Sequence, residues 1–62
     1  MMWWRVTRPD ESRHFLVLVV AGRIAVMGPG ATSFLFVEIG DHWNTARPLL
    51  EDSGFSCVMV PS

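Results

Sequence analysis

The apolar residues of this chain fall into short runs divided by glycine, proline and aspartate, and those runs carry two different periods. Trp3 to Thr7 is rich in β-formers and stops at Arg8-Pro9-Asp10, where proline has no N–H for a ladder and aspartate favours a turn, so it predicts a first strand. Phe15 to Val20 is an unbroken run of Phe, Leu and Val, too short and too β-branched for a helix. Alternation along it puts Phe15, Val17 and Val19 on one side and Leu16, Leu18 and Val20 on the other, so both faces of this central strand are apolar. Gly22 can take the positive φ of a tight turn, which lets Arg23 to Met27 return as the second arm of a hairpin. Beyond the turn signal Gly28-Pro29-Gly30, the aromatic and β-branched stretch Ser33 to Ile39 predicts a fourth strand, ended by Gly40 and Asp41.

The period then changes. Trp43, Ala46, Leu49 and Leu50 recur at spacings of three and four, which is one face of a helix. Pro48 in a helix interior costs about 3 kcal/mol, so the sequence favours Asn44 or Thr45 as N-cap, with Pro48 in the first turn. At the other end Gly54 suits the left-handed C′ position, and Phe55 would then be C″, in reach of Leu50. Phe55 to Val60 reads as a last strand before Pro61. The expected fold is therefore α+β: a small antiparallel β-meander followed by one helix and a final strand, β-β-β-β-α-β, with residues 1–62 as a single small domain. A strand, helix, strand unit of this length is normally a right-handed crossover between parallel strands.

Composition sharpens what such a fold lacks. A chain of 62 residues hides only about 60% of the surface its unfolded form exposes, and domains of this size lean on disulfides, metals or partners. One cysteine, Cys57, makes no internal bridge, and Cys57, His14 and His42 fall short of a four-ligand zinc site, so no metal and no cofactor is expected. Association remains. One helix covers one face of a sheet whose two faces are apolar, so the chain is expected to be a homo-oligomer or to dock on a larger protein partner. Net charge is −1, with the first thirty residues about +2 and the remainder about −3, which offers no general footprint for nucleic acid or an anionic membrane. Arg5, Arg8 and Arg13 precede the apolar run from Phe15 to Ala21 as in a secretory signal, but Asp10, Glu11 and Arg23 oppose it, and Arg23 also interrupts any membrane span. A cytoplasmic location with a reduced thiol is expected.

From Ser33 onward the chain resembles the early part of an α/β-hydrolase domain: Phe34-Leu35-Phe36-Val37 as a strand, Gly40-Asp41-His42-Trp43 as a loop, Arg47-Pro48-Leu49-Leu50-Glu51 as a helix, and Ser53-Gly54-Phe55-Ser56-Cys57-Val58 entering the next strand. The likeness covers about half the chain. It implies that the loop at Gly40 and Asp41 corresponds to the region whose backbone N–H helps form an oxyanion hole. Glu38-Ile39 stands where the family carries His-Gly, and no G-x-S-x-G nucleophile elbow occurs in these residues. The resemblance thus implies a truncated hydrolase-like unit that is inactive alone, and any activity it retained would be that of a hydrolase.

Other chemistry is outweighed by plainer explanations. Cys57 with His42 and Asp41 holds the residue types of a thiol nucleophile, yet a small thiol in mid-strand is more commonly buried packing, so no catalytic residue is assigned. Gly28-Pro29-Gly30-Ala31-Thr32-Ser33 resembles a phosphate loop without its lysine, and a turn explains it better. Trp3 and Trp4 beside Arg5 and Arg8 carry the ingredients of single-stranded nucleic-acid binding, but neighbours on a strand point to opposite faces and cannot share one stacking platform. The expected function is a non-catalytic unit or a compact protein-binding, homodimerising module, with Trp3, Trp4, Val17, Leu18 and Trp43 as interface candidates, because large aromatics anchor interfaces.

Overall fold

The computed structural model describes residues 1–8, 14–29 and 37–61. Within them the chain is α+β, with β1 (Met2–Thr7), β2 (His14–Val20), β3 (Arg23–Met27), α1 (Trp43–Asp52) and β4 (Ser56–Val60). Every pairing is antiparallel and the four strands form one sheet in the order β3-β2-β1-β4. An antiparallel meander of β1, β2 and β3, the helix and the final strand are present. Of the strand expected over Ser33 to Ile39, residues 33–36 lie outside the described residues, and Val37 to Ile39 carry no strand pairing. The end of the turn at Arg8-Pro9-Asp10 also falls outside them.

The β2–β3 hairpin closes through Ala21 and Gly22, at φ of 52° and 78°. A two-residue turn with both central residues at positive φ matches the right-handed twist of its strands, and here a β-carbon sits in one of those places. Between Leu18 and Val19 the register with β3 shifts, so that Leu18 faces Val26 while Val19 faces Ile24. That bulge places Ala25 out of step and returns Met27 to the side of Val17.

Two sequence expectations are corrected at the helix. The first is its start. α1 begins at Trp43 with His42 as N-cap, which leaves Pro48 inside the helix instead of in its first turn. Tertiary bonds decide this: the Trp43 N–H donates to the Gly22 carbonyl at 2.8 Å, Arg23 and His42 form an isolated bridge, and the Trp43 ring is buried. Anchoring that indole outweighs the local preference against an interior proline.

The second correction concerns the crossover. β4 does not return parallel to an earlier strand; it lies antiparallel beside β1, at the opposite edge from β3. α1 starts at the head of β3, and ten residues of helix span about 15 Å, close to the roughly 14 Å between the outer strands of a four-stranded sheet. The helix thus carries the chain across the sheet rather than along it. Its end is as expected: Gly54 has φ of 94°, its N–H donates to Glu51 O at 3.0 Å, and the Phe55 N–H donates to Leu50 O at 3.0 Å, the paired bonds of a Schellman stop.

Between α1 and the sheet lies the core: Trp4 and Val6 of β1, Phe15, Val17 and Val19 of β2, Ile24 of β3, Cys57 of β4, Val37, and Trp43, Ala46 and Leu50 of the helix. Phe55 and Met27 pack against it from the rim.

Candidate functional site

The opposite side of the sheet carries the residues of interest. Register places Val60, Trp3, Leu18 and Val26 side by side across all four strands, an apolar row that runs from one edge to the other. The next row holds Val58, Arg5 and Leu16, and the one beyond it Ser56, Thr7 and His14. At the hairpin end Val20 stands opposite Arg23. No described helix covers this face. On β2 the contrast is direct, because Phe15 is 5% exposed and its neighbour Leu16 is 39% exposed. Trp3, Val20, Val26 and Val58 are exposed as well, while Leu18 and Val60 are half-buried between their neighbours.

Trp3 stands between two apolar clefts. A cavity of about 470 Å³ wraps the end of the β1–β4 pair, lined by Trp3 and Val60 of the open side, by Met2 and Met59 of the helix side and by Met1 and Pro61, and another of about 330 Å³ is lined by Trp3, His14, Leu16, Val26, Gly28 and Pro29 among others. The methionines give the first cleft adaptable walls. The described charges on this side are cationic: Arg5 at its centre and Arg23 at the hairpin, with the imidazole of His14 nearby. Glu51 and Asp52 belong to α1, on the other side, and Glu38 and Asp41 to the loop before it.

The five interface candidates divide between the two sides. Trp3 and Leu18 are on the open face. Trp4, Val17 and Trp43 are buried under the helix, and the two indoles pack with ring centroids 5.3 Å apart. The Arg47 guanidinium lies 4.7 Å from the Trp4 ring centroid and pairs with Glu51 at 3.3 Å, one helical turn on. The Nε1 groups of Trp4 and Trp43 are buried with no acceptor among the described residues. A buried donor left unpaired costs about 1–3 kcal/mol, which these two rings offset by their packing area. Alternation on a strand could show that Trp3 and Trp4 part company, but which one the helix would choose depends on tertiary placement.

The loop at Gly40 and Asp41 is occupied with holding the fold. The Gly40 N–H donates to Ile24 O at 2.9 Å and the Asp41 N–H to Glu38 O at 3.1 Å, so both backbone donors are engaged. Asp41 Oδ2 accepts from the Glu38 N–H at 3.0 Å, Ile24 N–H donates to Asp41 O at 2.9 Å, and Arg23 donates to Gly40 O at 3.0 Å. This segment thereby lies along the outer side of β3. Sequence reasoning picked out these two residues for a different task and gave no sign of this one.

Cys57 is free and buried opposite Val6 in the β1–β4 ladder. Burial, and next the charge of Glu51, push its thiol up from 9.0 to about 11, with Arg47 opposing. A thiol held protonated is a poor nucleophile. Among the described residues no hydrogen bond joins it to His42, and no three His, Cys, Asp or Glu side chains gather as a metal site requires. No described helix is long and apolar enough to cross a membrane. No protein-family model, curated protein or solved structure matches the chain.

Proposed function

We propose that this chain is a non-catalytic interaction module that works by laying its uncovered sheet face on another protein. One observation carries the proposal: the row Val60, Trp3, Leu18 and Val26, apolar across every strand, on the side of the sheet away from the helix. Contiguous apolar surface rimmed by polar groups is the usual mark of a docking site. Trp3, standing between two apolar clefts, is the natural anchor, since exposed tryptophans near the centre of a patch tend to dominate binding energy. Arg5 in the middle of the patch and Arg23 at its end select a partner that is apolar and carries carboxylates.

The hydrolase-like reading of the second half has less support. The donors it would use are bonded within the fold, and the thiol nearest to it is held protonated. Nucleic acid is also less favoured, because among the described residues of this face Trp3 is flanked by the aliphatic Val60, Leu18 and Val26, and aliphatic side chains offer bases nothing to stack on.

The test uses a matched pair of substitutions and sedimentation of labelled chain in buffer and in clarified extract. Val17→Asp buries a charge under the helix and unfolds the chain. Leu18→Asp keeps the native circular dichroism spectrum and loses the additional mass acquired in extract. A folded Leu18→Asp variant that sediments in extract as the parent does overturns the proposal.

A further inference from the structure

We infer that β4 is the contact through which two copies of this chain join, pairing antiparallel about a twofold axis at Val58 so that two four-stranded sheets become one of eight strands. The inference deepens the proposal of an interaction module and names a second copy as one partner, but it stands on a different part of the molecule, the edge of the sheet.

The two edges are not alike. β3 is flanked on its outer side by Gly40 to His42, through the Gly40 and Ile24 N–H bonds and the Arg23–His42 bridge. β4 has no neighbour on its outer side among the described residues. An open edge is normally guarded by a charge, a proline or a bulge. Ser56-Cys57-Val58-Met59-Val60 has none of these within the strand, and its pairing with β1 is regular throughout. Val58 and Met59 are exposed, at 58% and 51%.

Such a strand is complementary to itself. An antiparallel pairing centred on Val58 sets Val58 against Val58 of the other copy, Cys57 against Met59, and Ser56 against Val60. Each pair then joins residues of one face: Cys57 and Met59 lie on the helix side with their β1 partners Val6 and Trp4, while Ser56, Val58 and Val60 lie on the open side with Thr7, Arg5 and Trp3. Slipping one strand past the other by a single residue would set core-facing positions against open ones, and among the centres that keep the faces matched Val58 is the one that pairs all five residues of the strand.

Charge selects the edge over the face as the place where copies meet. Stacking two open faces directly opposes surfaces whose described charges, Arg5 and Arg23, are both positive. Edge pairing brings uncharged strands together and leaves the two Arg5 residues three strand spacings apart, about 14 Å, beyond the screening length of about 8–10 Å.

Disulfide trapping tests the register. In a Cys57→Ala background, Val58→Cys is expected to give a covalent dimer under mild oxidation, and Ser56→Cys, whose counterpart would lie about 14 Å away, is not. Failure of Val58→Cys to cross-link, or equal cross-linking at both positions, overturns the inference. Should the Cys57→Ala background fail to fold, Val58→Lys in the parent chain carries the test: like charges opposite each other should weaken dimerisation at least about tenfold by sedimentation equilibrium with the spectrum unchanged. A parent chain that stays monomeric at every reachable concentration, or a Val58→Lys dimer as tight as the parent's, also overturns it. Leu18→Asp separates the two ideas: it leaves this dimer intact while removing extract partners. Loss of the dimer in a folded Leu18→Asp variant places the self-contact on the face and overturns the edge.

Discussion

The two sides of the sheet are built from nearly the same amino acids and have opposite fates. Phe15, Val17 and Val19 alternate with Leu16, Leu18 and Val20 along one strand, and only the first set is covered by α1. Hydrophobicity alone therefore does not say which side is core. What separates them is the path of the helix, fixed at one end by the Trp43 N–H bond to Gly22 and at the other by the stop at Gly54 and Phe55. The covered side is where stability resides, and the uncovered side is surplus to folding, which makes it available for binding.

The comparison is broken or sharpened first on the helix itself. Leu50 and Leu49 are neighbours of one chemistry, fully buried and 43% exposed respectively. Leu50→Ala should lower stability by about 2–5 kcal/mol, enough to unfold much of so small a domain, and Leu49→Ala by about 0.5 kcal/mol or less, both read by chemical denaturation. Comparable losses from the two would mean that the helix is not seated as described.

A smaller effect distinguishes Cys57 from Val58, again neighbours on opposite sides. The Cys57 thiol stays protonated in the folded chain up to about pH 11 but ionises near 9.0 when unfolded. A group whose folded pKa is raised contributes stability that is complete below the unfolded value and is lost as pH rises through the folded one. Stability should thus fall between about pH 9 and 11 by at most about 1.4 kcal/mol per pH unit, and Cys57→Ala should remove that slope. A slope that persists in the alanine variant assigns it to another group.

The smallest expected effect lies on the open face. Leu16→Thr and Val26→Thr should change the unfolding free energy by about 0.5 kcal/mol or less, because threonine suits a strand and neither site is under the helix. A loss of 2 kcal/mol at either, on the order of a core deletion, would show that this face is already packed within the folded chain.

Much of this was legible in the residues. The runs that form β1 to β4, the β2–β3 hairpin, the Schellman stop and the presence of two apolar faces all follow from local pattern and turn chemistry. The rest depended on distant contacts. Pro48 argued for a late helix start, and only the bond from Trp43 to Gly22, twenty-one positions apart, explains the earlier one. Ala21 gave no hint of its positive φ, since it is Gly22 that announces a turn. Strand, helix, strand spacing suggested a parallel crossover because it says nothing of a helix that runs across the sheet. The division of Trp3 from Trp4 and Leu18 from Val17 was readable as alternation, but its sign was not.

The pairing of β1 with β4 has a consequence for how the fold is reached. Trp3 and Val60 are neighbours in space although about 57 residues separate them, and closing a loop of that length costs roughly 3.6 kcal/mol of chain entropy by (3/2)RT ln n. The β2–β3 hairpin closes over two residues and needs no such outlay, so local zippering favours it early, whereas β4 can dock only once β1 and the helix have presented a surface to receive it. The strand added last is then also the one whose outer edge has no neighbour among the described residues, so a half-assembled chain and a finished one would each expose a β-strand margin, β1's in the first and β4's in the second.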